Sequence, residues 1–85
     1  RVADPEALAI LQGRIDHIVQ VSDAEVAQSM RDLFACAHNV AEGAGAAAFA
    51  AAMQERDQLR GKTVGIALTG GNVDSGMFAD ALLNR

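Results

Sequence analysis

The tetrapeptide Thr69-Gly70-Gly71-Asn72 sets a hydroxyl and an amide on either side of two residues without side chains. A threonine hydroxyl both donates and accepts hydrogen bonds. Paired glycines let a ligand come down onto the backbone. The tetrapeptide follows the short apolar run 63–68 (TVGIAL), and in open α/β sheets ligands bind beyond the carboxyl ends of the strands. Thr69 is therefore a candidate polar contact at a strand tip, with Gly70 and Gly71 clearing room beside it. A glycine turn that only reverses the chain satisfies the same spacing. The pattern is neither a P-loop nor the dinucleotide fingerprint.

Glu42 is the second candidate, standing just before an alanine-rich segment. A carboxylate at a helix N-terminus is favoured by the positive end of the dipole. Plain capping and a carboxylate held at the edge of a pocket both fit that position. His38 reads as a residue at a helix C-terminus, and His17 as a solvated or edge residue of a strand. Neither histidine has metal-ligand spacing to Cys36. Cys36 reads as an inert buried thiol, and no Ser/His/Asp arrangement has support.

The elements that must position these residues follow from pattern. Asp4-Pro5 suits a helix start, with Asp4 as cap and Pro5 in the first turn. Residues 15–21 (IDHIVQV) are β-branched at four positions and bounded by Gly13 and Ser22, which predicts a strand. Ser22 and Glu25 form a capping box. The apolar positions Val26, Met30, Leu33, Phe34 and Ala37 then share one helical face, ending near His38 or Asn39. Residues 44–53 contain only Ala, Gly, Phe and Met, which predicts a helix buried on every side. Its alanines and Gly45 let neighbouring backbones approach closely. Residues 63–68 predict a strand covered on both faces. Asp74 and Ser75 suit the cap of a last helix carrying Met77, Phe78, Ala81 and Leu82. The order is strand, helix, helix, strand, loop, helix, and the fold class read from it is α/β.

Composition bounds the rest. A chain of 85 residues makes at most one small domain, and 51% hydrophobic content with 21% charged is apolar for that size. This reads as a piece of a larger core, since a free mini-domain needs a disulfide, a metal or a partner. Net charge is −4. Phosphate-backbone binding needs clustered Lys and Arg, so no nucleic acid is expected. No apolar run reaches the roughly 20 residues that span a membrane, and no leader opens the chain. The single cysteine fits a reducing, cytoplasmic setting.

Three segments together resemble the serine/threonine dehydratase family of fold-type II pyridoxal-phosphate enzymes. They are Val21-Ser22-Asp23-Ala24-Glu25-Val26, then His38-Asn39-Val40-Ala41-Glu42-Gly43-Ala44-Gly45-Ala46, then Leu68-Thr69-Gly70-Gly71-Asn72-Val73-Asp74. The resemblance covers residues 15–83 and rests chiefly on the last two segments in combination.

That resemblance implies a parent with two α/β lobes. Residues 1–85 would form the carboxyl-terminal part of its larger, tryptophan synthase β-like, catalytic domain. The cofactor would be pyridoxal 5'-phosphate. Thr69 would take the position of the family's hydroxyl residue at the pyridine nitrogen, where most members carry serine. Glu42 would face the cofactor side of the pocket, and Gly70 and Gly71 would leave the ring edge uncrowded. The implied reaction is β-elimination from threonine or serine to a 2-oxo acid and ammonia. The partners would be an amino-acid substrate, the remainder of the polypeptide, and further copies in a homodimer or homotetramer.

Schiff-base chemistry needs a lysine amine. Lys62 is the only lysine, and a strand at about 3.3 Å per residue places it about 20 Å from Thr69. The catalytic lysine is therefore expected upstream, and this segment alone would be inactive. A serine racemase or a hydroxyaspartate dehydratase would look almost the same over this stretch. A small non-catalytic α/β interaction module is the alternative from another class, and it predicts a chain that folds alone.

Overall fold

The structure is a computed structural model that describes residues 4–84. Its elements are α1 (Pro5–Leu11), α2 (Asp23–Ala37), α3 (Gly43–Gln54) and α4 (Ser75–Leu83). Local chemistry accounts for where they start. The Asp4 carboxylate accepts from the Glu6 N–H at 3.0 Å, with Pro5 in the first turn. At α2 the Glu25 N–H donates to Ser22 Oγ at 3.1 Å, and the Ser22 N–H donates back to Glu25 Oε1 at 2.8 Å. The capping box read from the sequence is thus closed in both directions. Asp74 accepts from the Met77 N–H and starts α4. α2 stops because His38 turns into the left-handed region at φ 57°, where its N–H still reaches the Phe34 carbonyl.

α2 is the centre of the packing and lies against both α3 and α4. Met30, Ala41 and Ala46 form the buried cluster, with Val26, Leu33, Val73, Phe78 and Ala81 around it. Phe34 of α2 and Phe78 of α4 meet edge to face, with centroids 5.5 Å apart and planes at 80°. That is a preferred geometry of aromatic pairs. Alanine-sized side chains let α3 come close to α2, but each buries little apolar area.

Several sequence expectations fail. Neither residues 15–21 nor residues 63–68 form a strand, and the described residues contain helices only, so the α/β layering is not seen. A strand exists only as a rung of a ladder, and these two segments do not pair with each other. Their β-branched residues suit a pleated, half-covered surface, a preference realised only beside a partner strand. Without one, Ile18 is 81% exposed, and Val64, Ile66 and Leu68 are 40–45% exposed. The helix that reads as buried all round is covered on one side. Gly45, Ala46 and Ala50 are buried, while Ala44 and Met53 are exposed. Cys36, expected to be buried, is exposed.

These departures have one physical root. The accessible surface is 6534 Å², against about 4,800 Å² for a compact monomer of this mass. The radius of gyration is 14.4 Å, against about 12 Å for a compact chain of this length. Large apolar side chains are among those left uncovered: Met77 is 66% exposed, Leu83 62% and Ile10 57%.

Candidate functional site

Residues 68–72 leave no room for side chains where they pass the start of α3. Gly70 has φ +87°, a backbone conformation that L side chains rarely adopt. A Cβ there would strike the Glu42 carboxylate. A Cβ on Gly71 would stand 2.8 Å from the Val40 carbonyl oxygen. From the other side, a Cβ on Gly45 would strike the Thr69 carbonyl oxygen and stand 2.8 Å from that of Gly70. The Glu42 N–H donates to the Gly70 carbonyl oxygen at 3.3 Å. Two backbone stretches, 40–45 and 69–71, are thus seated on one another through three bare Cα positions and one hydrogen bond.

The structure brings the stretch around Glu42 against Thr69, Gly70 and Gly71. It also assigns the glycines a specific task. The space left by Gly70 is taken by this chain's own Glu42, and that left by Gly71 faces Val40. Glu42 is the N-cap residue of α3 by position, yet its carboxylate accepts no hydrogen bond from the helix. It is turned over Gly70 instead. Helix capping through the side chain is therefore not what holds Glu42 there. Thr69 is exposed, and its hydroxyl makes no hydrogen bond among the described residues. Its carbonyl faces Gly45, so the residue is anchored by its backbone and leaves its side chain outside that contact.

Val40 went unnoticed in the sequence, because a carbonyl contact carries no side-chain signal. Gly45 did carry one: a glycine inside an alanine helix costs about 1 kcal/mol relative to alanine and calls for a packing reason. An apolar groove of about 370 Å³ lies between α2 and α4, lined by Val26, Met30, Gly43, Val73 and Met77. None of Glu42, Thr69, Gly70 or Gly71 lines it.

The remaining polar residues lie elsewhere. His17 bridges Asp16 at 2.6 Å and Glu55 at 2.8 Å. Those hydrogen bonds, Asp16 first, raise the imidazole pKa above its ordinary value. Glu25 is held below the usual carboxylate value by the Ser22 N–H and then by Gln54. His38 is exposed at the end of α2. Lys62 follows the turns after α3, where its N–H donates to the Leu59 carbonyl. No group of three or more His, Cys, Asp or Glu residues that could hold a metal occurs among the described residues.

The loop is seated on α3 through its glycines, and comparison with known proteins gives the chain its family. The profile of the family described as "Pyridoxal-phosphate dependent enzyme" matches residues 1–70, and the chain belongs to that family. L-threo-3-hydroxyaspartate ammonia-lyase of a Pseudomonas species is 40% identical over 73 residues, covering 86% of this chain and 23% of that protein. L-threonine ammonia-lyase of Thermotoga maritima is 39% identical over 71 residues, 84% of this chain and 17% of that protein. Serine racemase of Schizosaccharomyces pombe is 35% identical over 74 residues, 87% of this chain and 23% of that protein. The chain thus spans about a quarter or less of the length of these relatives. No solved structure matches it.

Proposed function

We propose that this chain is the closing part of the catalytic domain of a pyridoxal-phosphate-dependent ammonia-lyase that eliminates water from a hydroxy amino acid. The observation that carries this reading is the Thr69 hydroxyl. It is exposed and without an internal partner, on a backbone fixed by the Glu42 N–H and by contact with Gly45. The residues present fit the cofactor in donor chemistry, because a neutral hydroxyl suits a pyridine nitrogen in either protonation state.

Bound pyridoxal phosphate supplies the electron sink that lets the amino-acid substrate lose a proton and then its β-hydroxyl. Thr69 would hold the ring nitrogen without enforcing its protonation, which a carboxylate would enforce. Gly70 and Gly71 act by letting the loop seat low on the 40–45 stretch. Glu42, whose carboxylate lies over Gly70, would border the cofactor side of the loop. The catalytic lysine would lie outside these 85 residues, whose only lysine, Lys62, stands seven positions before Thr69.

Relatives named for hydroxyaspartate and threonine support a small hydroxy amino acid as substrate and a 2-oxo acid and ammonia as products. The uncovered apolar surface around Ile18, Ile66 and Met77 supports burial against the rest of the polypeptide and against further copies in a homo-oligomer. No helix among the described residues is long and apolar enough to cross a membrane, in keeping with a cytoplasmic enzyme.

Thr69→Val in the full-length enzyme tests the reading, since it removes the hydroxyl at nearly constant shape. A hydrogen bond between neutral partners contributes about 0.5–1.5 kcal/mol, so cofactor affinity and turnover should fall about two- to tenfold. Unchanged cofactor absorbance and unchanged turnover would defeat the assignment.

A further inference from the structure

Thr69 is held by its backbone alone, which leaves open what fixes how far its hydroxyl stands out. The contacts beneath it give an answer. Gly45 is buried in the first turn of α3, and the carbonyl oxygens of both Thr69 and Gly70 lie over its bare Cα. The Thr69 carbonyl carbon is also close, 3.1 Å from where a Cβ would stand. The three atoms nearest that position are all backbone, which cannot swing aside as a long side chain can. The neighbouring helix glycine differs. A Cβ on Gly43 would meet only Val26 Cγ1, at an ordinary 3.6 Å.

We infer that Gly45 is a positioning residue for the cofactor-facing loop: its missing side chain sets the depth at which Thr69 and Gly70 seat on α3, and so the reach of the Thr69 hydroxyl. Gly45 touches neither substrate nor cofactor. It acts through the 69–70 backbone, and the Glu42 N–H to Gly70 carbonyl bond reports whether that backbone is seated. The functional part of the inference rests on the reading of Thr69, while the seating itself does not.

The same substitution at two places on one helix tests this in the full-length protein. Gly43→Ala and Gly45→Ala change helix propensity alike, but only Gly45→Ala pushes on the loop. Overpacking against backbone is worth a factor of about ten or more. Amide exchange at Glu42 in the cofactor-free protein should accelerate by about that factor in Gly45→Ala, and the dissociation constant for pyridoxal phosphate should rise similarly. Gly43→Ala should leave both within about twofold, because its new Cβ lands in ordinary contact. Equal exchange at Glu42 in the two variants overturns the inference. A second measurement needs no variant to fold: a Glu42 amide that exchanges in the unaltered protein as freely as an unprotected loop amide also overturns it. Faster exchange in Gly45→Ala, combined with full cofactor retention in Thr69→Val, keeps the seating and removes the Thr69 reading instead.

Discussion

The Glu42 N–H donates to the Gly70 carbonyl oxygen at 3.3 Å, while the Glu42 carboxylate occupies the place of a Gly70 Cβ. One residue thus grips the loop by its backbone and caps the same glycine with its side chain. Gly70→Ala should suffer twice. The φ of +87° costs about 1–2 kcal/mol for an L residue, and displacing the carboxylate adds about 1 kcal/mol. Urea unfolding of the cofactor-free protein measures the total. In a Glu42→Ala background the second part should vanish and the first remain. An equal cost in both backgrounds would show that the carboxylate does not stand over Gly70.

How much of this was legible in the sequence depends on the range of the interaction concerned. Helix starts were legible because each is written within four residues: Asp4 with Pro5, Ser22 with Glu25, Asp74 with Met77. The hydrogen bond from Glu42 to Gly70 was not legible in the sequence, since nothing local ties position 42 to position 70 and the resemblance only set both near one cofactor. The strands were misread for a reason of the same kind. Residues 15–21 and 63–68 have the composition of covered strands, but a ladder needs paired neighbours, and these segments do not pair with each other. Cys36 looked buried because free cysteines usually are. It lies outside the face set by Val26, Met30 and Leu33, which the helical period already assigned to the core.

His17 gives a prediction with a definite pH sign. Its hydrogen bonds to Asp16 and Glu55 favour the imidazolium, so its pKa in the folded protein lies above the ordinary value of about 6.5. A raised folded pKa means the contribution to stability is fully present below the unfolded value. It is lost as pH rises through the folded value. The side chain is exposed, so the effect should be small and should weaken with salt. Proton NMR titration of the His17 ring checks it. Glu55→Gln should bring the pKa down toward the ordinary value and leave it still raised by Asp16. A midpoint that does not move on that substitution would remove the bridge between residue 17 and the turn after α3.

Arg31 gives the last prediction, because it joins α2 to the end of the helix that follows the loop. Its Nη1 donates to the Ala81 carbonyl at 2.8 Å and reaches Asn84 Oδ1 at 3.4 Å, while Nη2 donates to Gln28 Oε1 at 2.7 Å. The Ala81 carbonyl also accepts from the Asn84 N–H at 3.3 Å, and a cation at a helix C-terminus complements the dipole. Arg31→Met keeps much of the stem packing and removes the donors, so it should cost about 1–2 kcal/mol. Arg31→Lys keeps the charge without the fork that serves Ala81 and Gln28 at once, and should fall between the two. Hydrogen exchange locates the loss. Amides of α4 should open faster in Arg31→Met, while Glu42, seated on the loop by a different contact, should keep its protection. If Glu42 loosens together with α4, the loop is held by the packing of α4 and Phe78 on α2 rather than by the glycine contacts beneath it. If neither changes, the guanidinium is not what fastens α4 to α2.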